Sequence, residues 1–230
     1  MALASNALTT LQDVKLELGI SSTDVSNDRY LASLINSSSS QIESFLNRKL
    51  QKQTGKVERL SGYGNYTLVL SLTPVLTLTS VEIISSYTPI LFPYDINDIE
   101  IKDADAGLVY YRSGWPWTAP RPPGTIARDP RPGQEWPVIE VTYDGGYDLP
   151  ASASQTLPYD IQRACTLAVA SDYRKRGLDR DIKSQKLMSY SVSYERTGIG
   201  EATLHKMYPA SPFSSQVTQM LVPYRRIPGA

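Results

Sequence analysis

Cysteine and histidine are almost absent: Cys165 and His205 stand alone in 230 residues. One cysteine excludes an internal disulfide framework and any Cys-rich zinc site. One histidine excludes a mechanism or metal site built on two. Net charge is missing as well, because 23 Lys and Arg balance 23 Asp and Glu. That balance argues against holding nucleic acid or membrane through bulk charge. No apolar run approaches the roughly 18–20 residues needed to cross a bilayer. The opening Met1-Ala2-Leu3-Ala4-Ser5-Asn6 lacks the basic start and long apolar stretch of a signal peptide. The chain is therefore expected to be intracellular, or assembled inside a cell.

A chain of this length with 41% hydrophobic residues buries on the order of 70% of its unfolded surface, enough to stand without metal or disulfide. It reads as one large domain or two small ones. Fifteen Tyr stand against three Phe and three Trp. Tyrosine suits a surface that is wet before assembly and buried after it, and it equally suits an ordinary pleated sheet. The neutral total hides a segregation. Residues 82–111 hold six acids (Glu82, Asp95, Asp98, Glu100, Asp103, Asp105) and one base, Lys102, whereas residues 171–230 hold ten bases and five acids. Such unlike regions allow copies or partners to dock by complementary patches.

Local patterns predict the elements. Thr9-Thr10-Leu11-Gln12 offers an N-cap hydroxyl with Gln12 at the capping-box position, Leu11, Val14 and Leu18 follow at helical spacing, and Gly19 supplies a stop. Ser26-Asn27-Asp28 can cap a second helix striped by Leu31, Leu34, Ile35, Ile42, Phe45 and Leu46. Ser37 to Ser40 interrupt that stripe with small side chains, which suits close approach of another helix. Strands are predicted at 56–60, 66–72, 80–84, 99–101, 107–111 and 138–143, with 61–65 as the turn joining the first two. Residues 115–137 carry seven prolines, three tryptophans and three arginines, which fits an extended loop and no helix or inner strand. Pro158 sits in the first turn of a helix whose face is Ile161, Ala164, Cys165, Ala168, Val169 and Tyr173, ending in Arg174-Lys175-Arg176-Gly177. Residues 188–194 alternate as a strand, and a short helix from Ser211-Pro212 carries Val217, Met220, Leu221 and Tyr224.

Together these predict an α+β fold. A small helical bundle is made of the N-terminal helix pair, helix 158–176 and a short C-terminal helix. An antiparallel β-rich region is inserted into it, and a C-terminal arm follows. The expected organisation is a helical core of residues 1–50 and 151–186, a β-rich insertion at 51–150 with its Pro/Trp-rich loop at 115–137, and a strand and arm at 187–230.

Chemistry is harder to find. Cys165 lies mid-stripe on a helix and reads as a small core residue. His205 has no carboxylate or second histidine at ligand spacing. Gly62-Tyr63-Gly64 and Gly145-Gly146 match no phosphate-binding pattern and read as turns. Asp95, Asp98, Glu100, Asp103 and Asp105 lack the spacing of a calcium loop and read as a solvated acidic surface. Arg174, Lys175 and Arg176, with Arg180, Lys183 and Lys186, suit a phosphate, a helix C-terminus or a protein partner. No catalytic constellation, cofactor site or metal site is expected.

The order of local signatures carries a resemblance. Thr-Thr-Leu-x-x-Val-Lys-x-x-Leu-Gly-Ile spans residues 9–20, and Ile-Glu-Ser-Phe-Leu-Asn-Arg-Lys-Leu spans 42–50. Val-Thr-Tyr-Asp-Gly-Gly-Tyr follows at 141–147, then Ser-Tyr-Ser-Val-Ser-Tyr at 189–194, and Met-Leu-Val-Pro-Tyr-Arg-Arg at 220–226. The chain resembles the head–tail connector (adaptor) proteins of tailed double-stranded DNA bacteriophages over residues 9–50 and 141–226. The resemblance implies a non-enzymatic protein of the virion neck, assembled in the host cytoplasm, with no cofactor and no membrane association. Such adaptors form a ring, usually of twelve copies, beneath the portal protein, extend the DNA channel and carry the next neck or tail-completion protein. DNA would then lie close without a specific grip.

The portal-reaching segment would be 212–230, with Val217, Met220, Leu221, Tyr224, Arg225 and Arg226 as its contacts. Removing 211–230 is expected to abolish docking and leave the fold intact. Contacts between copies would come from Leu34, Ser38, Ile42, Ala164, Ala168, Arg174 and Arg176 on helices 29–46 and 160–176. This chain is longer than many such proteins, largely through residues 52–137, where Trp115, Trp117 and Trp136 are possible contacts. The alternative reading is a tail-associated carbohydrate- or receptor-binding module using those tryptophans as stacking platforms.

Overall fold

Thr10 opens the first helix, α1 (Leu11–Leu18). Its hydroxyl accepts the Asp13 N–H at 3.1 Å, and the Asp13 carboxylate accepts back from the Thr10 N–H and hydroxyl. The capping box is therefore Thr10 with Asp13, one residue beyond the expected Thr9 and Gln12. The reason is tertiary: Thr9 is buried and its hydroxyl meets that of Thr166 at 2.8 Å. Gly19 closes α1 in the left-handed region at φ 69°, where a Cβ is costly. The loop that follows is wrapped around a buried ammonium. Lys15, only 4% exposed, reaches Asp28 Oδ1 at 2.6 Å and donates to the Asp24 carbonyl at 2.8 Å. A buried charge so paired fixes the loop, since removing either partner strands the other.

This computed structural model describes residues 2–84, 92–116, 118, 138–152, 154–176, 184–187, 190–193 and 212–226. The chain divides into a helical unit, Met1–Arg48 with Asp148–Gly229, and a β unit, Lys49–Tyr147. In the helical unit, α2 (Asp28–Leu46) begins after Asn27, whose side chain makes no cap bond. Its inner face is Leu31, Ile35, Ile42 and Leu46, all fully buried. Leu34 and Phe45 are half-buried on its flanks. The serine run divides by helical phase: Ser38 and Ser39 are buried, Ser37 and Ser40 exposed.

Ser39 shows what the small residues do. Its hydroxyl accepts the Leu8 N–H at 3.1 Å and lies 3.7 Å from Cys165 Sγ. Cys165 belongs to α3 (Tyr159–Arg174), which contributes Ile161, Ala164, Ala168 and Val169 to the same core. Side chains this short let two helix backbones draw together with few voids. The next described helix, α4 (Ser215–Leu221), starts later than expected, after Ser214, and packs on α3 through Val217 and Leu221.

Among its described residues the β unit has seven strands: β1 (Gln53–Leu60), β2 (Thr67–Val69), β3 (Val75–Ile84), β4 (Phe92–Pro93), β5 (Ile99–Asp103), β6 (Leu108–Tyr111) and β7 (Val138–Gly145). They form two antiparallel sheets, ordered β1-β7-β3-β4 and β2-β6-β5. The expected hairpin between the first two strands is absent. β1 pairs β7, with Lys56 opposite Tyr143 and Leu60 opposite Ile139, while β2 pairs β6. Residues 61–65 therefore carry the chain from one sheet to the other. Strict alternation on β7 sends Ile139, Val141 and Tyr143 inward. There they meet Leu68, Leu70, Leu72, Val75, Val81, Val109 and Trp115 in one apolar core.

Entry and exit strands of the β unit are laced together at its base. Tyr147 donates its N–H to the Leu50 carbonyl at 2.8 Å, and Lys52 donates to the Tyr147 carbonyl at 2.9 Å. Gly146, at φ 93°, has no room for a side chain, because a Cβ would lie 2.8 Å from the Gln51 carbonyl oxygen. The Gly145-Gly146 pair thus serves a close backbone crossing. Termini held side by side are what an inserted module requires of its host. In the C-terminal part, β8 (Ser184–Leu187) pairs antiparallel with β9 (Tyr190–Ser193), Leu187 opposite Tyr190. Where one strand was expected at 188–194, two short ones pair.

Candidate interaction site

Cys165 is fully buried, and burial pushes its thiol up to about 12. It is a core residue with no capacity as a nucleophile at neutral pH. Among the described residues, no group of three His, Cys, Asp or Glu is placed to hold a metal ion. Asp95 is occupied locally, accepting from the Asn97 N–H at 2.9 Å in the one-turn 3-10 helix Ile96–Asp98. His205 lies outside the described residues.

One polar cluster invites a chemical reading. Lys56 Nζ lies 2.6 Å from Ser71 Oγ, which donates at 2.7 Å to Glu58 Oε2, and Tyr143 donates its hydroxyl to the same oxygen at 2.6 Å. A serine beside a lysine suggests acyl transfer, but that needs a neutral lysine as base. Here Lys56 Nζ is instead an ion-pair partner of Glu58 at 3.8 Å. The cluster is a lock between β1, β7 and the stretch 70–72, completed by the Leu72 N–H donating to Tyr143 Oη at 3.0 Å.

Burial alone would raise the Glu58 carboxyl, but the hydrogen bonds from Tyr143 and Ser71 and the Lys56 charge outweigh it and hold the group below the ordinary glutamate range. Burial and the Glu58 hydrogen bond push Tyr143 up to about 12. A lowered folded-state carboxyl stabilises above its unfolded pKa and stops doing so as pH falls through its folded value. The β unit is therefore expected to lose stability as pH drops below the ordinary glutamate range. Thermal melts of Glu58→Gln should show a flatter acid limb than the unaltered chain; identical limbs would remove Glu58 as the cause.

Polar and aromatic contacts concentrate where the C-terminal segment meets α2. Arg225 donates from Nε to the Phe45 carbonyl at 3.2 Å and sets its guanidinium 5.2 Å from the Phe45 ring centroid. The Arg226 N–H reaches the Leu46 carbonyl at 3.0 Å. Two carbonyls left unpaired at the end of α2 are thereby satisfied, with cations at the negative end of the helix dipole. Tyr224 Oη lies 3.4 Å from Asp160 Oδ2, and Phe213 meets Phe45 edge-on at 6.1 Å. Beside these contacts runs a groove of about 460 Å³, walled by Ser40, Gln41, Ser44 and Phe45 on one side and by Pro212 and Arg225 on the other. Hydroxyls, an aromatic face and a guanidinium suit a peptide surface better than a small substrate.

The expected contact residues separate by burial. Val217 and Leu221 are spent on the chain's own core, whereas Met220, Tyr224 and Arg226 are half-buried and Arg225 is exposed. Ser38, Ile42, Ala164 and Ala168 are buried among the chain's own helices. Leu34 keeps part of its surface, and Arg174 and Arg176 keep most of theirs. The two arginines also tie α3 to its neighbours, Arg174 to Glu17 and Arg176 to Asn27 and the Tyr30 ring. Trp115 is 1% exposed, so its face is closed to a sugar. Trp117 and Trp136 lie outside the described residues. Sequence reasoning missed the outward hydroxyls of Ser40 and Ser44; their i, i+4 spacing opposite the apolar stripe was the available signal.

Residues 8–71 match the model of the phage gp6-like head-tail connector protein family. No curated protein matches the chain. Among solved structures, a chain in the virion of a native gene transfer agent particle is similar at a TM-score of 0.53 and 19% identity, with 100% of this chain and 96% of that one covered. A chain in the neck of the native particle, computed with C12 symmetry, scores 0.51 at 17% identity. One in the neck of the empty particle, computed with C6 symmetry, scores 0.50 at 17%. Both likewise cover 100% of this chain and 96% of theirs. The resemblance read in the motifs is upheld over residues 8–71 by the head-tail connector sequence pattern, and the fold is shared with chains of gene transfer agent particles.

Proposed function

We propose that this chain is a structural protein of the virion neck, an adaptor that forms a ring beneath the portal and presents a platform for the next neck or tail protein. The observation that carries this reading is the head-tail connector match over residues 8–71, which spans α1, α2 and the start of the β unit. The family and the solved neighbours are structural virion components rather than enzymes. Twelve copies is the proposed stoichiometry, supported by the C12 symmetry of one similar neck. A closed ring needs two unlike faces per copy, and the charge segregation of the sequence, acidic over 82–111 and basic over 171–230, supports such a pair. A neutral chain also suits a channel through which DNA must slide, since many phosphate contacts would hold it.

Portal contact is assigned to the C-terminal segment through Met220, Tyr224, Arg225 and Arg226, and contact between copies to Leu34, Arg174 and Arg176. Trp115, buried in the β unit, is not available as a stacking platform for the alternative carbohydrate-binding reading. The test is electron microscopy and native mass spectrometry of the full chain mixed with its portal. A ring of added density at the portal, with the mass of twelve copies, is expected. A chain that remains single beside assembled portals would overturn the reading.

A further inference from the structure

Asn27 stands at the N-cap of α2, where an asparagine ordinarily turns its side chain onto the first free N–H groups of the helix. Here it makes no such bond. Its backbone, at φ −107° and ψ 3°, lies outside the extended region that suits capping, and its Oδ1 instead accepts from Arg176 Nη1 at 3.0 Å. Tyr30, in the first turn of α2, brings its ring centroid to 4.8 Å from the same guanidinium. Tyr173, in the last turn of α3, packs against Tyr30 with 6.1 Å between ring centroids.

The guanidinium is thus held by one face and one corner. It carries five N–H donors. Asn27 takes one, and the Tyr30 ring takes the face without consuming any. Arg176 is exposed, and among the described residues its side chain meets no carboxylate, Asp172 one helical turn earlier included. Its neighbours add cations: Arg29 and Lys175 are exposed beside it, and Glu17 is already paired with Arg163 and Arg174. An arginine fixed before binding loses less rotamer freedom when it binds. What remains on offer is a planar edge suited to the two oxygens of a carboxylate.

We infer that Asn27, Tyr30 and Tyr173 are positioning residues that aim Arg176 at a carboxylate of the neighbouring copy. The inference rests on the ring reading, in which Arg176 serves contact between copies. Charge complementarity assigns the carboxylate to the acidic stretch 95–105 of the next chain. Asp98, Glu100 and Asp105 are exposed there, and among the described residues their side chains make no hydrogen bond or ion pair.

Full-length variants assembled on portals and followed by native mass spectrometry, with thermal melts alongside, test this. Arg176→Ala is expected to weaken ring assembly about tenfold, and Arg176→Lys nearly as much, since it keeps the charge and loses the fork. Asn27→Ala removes no cap, so its melting temperature should stay within a few degrees of the parent while assembly weakens about fivefold. Tyr30→Phe keeps the ring and should assemble as the parent does. Neutralising Asp98, Glu100 and Asp105 together, to Asn, Gln and Asn, should cost as much as Arg176→Ala and add nothing to it. Three results would overturn the inference and leave the ring reading standing. They are Arg176→Lys rings that form as readily as the parent's, an Asn27→Ala chain that assembles normally or whose melt falls with its assembly, and additive losses in the combined variant. Absence of rings from the unaltered chain would overturn both.

Discussion

Replacing Trp115 with alanine is expected to destabilise the β unit by about 3–5 kcal/mol, the usual cost of deleting a buried tryptophan. The indole is 1% exposed. It sits 5.6 Å from the ring of Tyr94 and 5.3 Å from that of Tyr111, which are 5.1 Å from each other. Three mutually tilted rings of this kind gain beyond their buried area. The backbone is held as firmly, with Trp115 N–H on the Asn65 carbonyl and Thr118 N–H on the Gly62 carbonyl, both at 2.8 Å. At Gly62 a Cβ would collide with the Pro116 carbonyl oxygen, so the two segments lie in direct backbone contact. Trp115→Phe retains a ring in the cluster and should lose only a fraction of the alanine cost. Denaturant unfolding followed by far-UV circular dichroism checks both. An alanine variant within about 1 kcal/mol of the parent would show that Trp115 does not hold the β unit together.

That tryptophan marks the boundary of what the sequence could tell. A proline- and tryptophan-rich stretch reads as an extended loop, and the pattern does not say that its first residue, Trp115, is a core side chain of the β unit. Local pattern reports which residues want burial and not which partner buries them. The same limit explains the strands. Alternation located β7 closely, but could not show that β1 pairs with it rather than with β2 across the five-residue link 61–65. The start of β3 at Val75 was missed because Pro74 masks it, although proline just before a strand costs no ladder hydrogen bond. Helix ends were legible where the cap is local, as at Gly19. They slipped by one residue where tertiary contact claims a hydroxyl, as at Thr9.

Candidate contacts were least legible, for a related reason. Small residues on α2 and α3 signalled tight packing, and tight packing is found, between Ser39 and Cys165 inside one chain. A seam between copies carries the same composition as a seam between neighbouring helices, so Ser38, Ile42, Ala164 and Ala168 could not be separated from core by pattern. Charged residues outside the stripe keep the surface that a contact between copies would need. Arg174, Arg176 and Arg225 all keep exposed surface.

Deleting residues 211–230 is expected to unfold the helical unit, in place of the intact truncated protein that the sequence alone suggests. Val217 and Leu221 are 2% and 0% exposed, and burying two such side chains contributes about 3–6 kcal/mol. That approaches the whole stability of a typical domain, about 5–15 kcal/mol. The deletion also strips the partners of the Phe45 and Leu46 carbonyls at the end of α2. Loss of portal docking by this truncation would therefore say nothing about contact. The discriminating variant is Tyr224→Ala with Arg225→Ala, which leaves Val217, Leu221 and the Arg226 backbone bond to Leu46 in place while removing the Tyr224 hydroxyl near Asp160 and the Arg225 contacts with the Phe45 carbonyl and ring. Its melting temperature should stay within a few degrees of the parent, while the truncated chain loses its cooperative transition. If portal binding falls at least tenfold in the double variant with the melt unchanged, the side chains themselves make the contact; if binding is unchanged, the C-terminal segment serves the fold and the portal is held elsewhere.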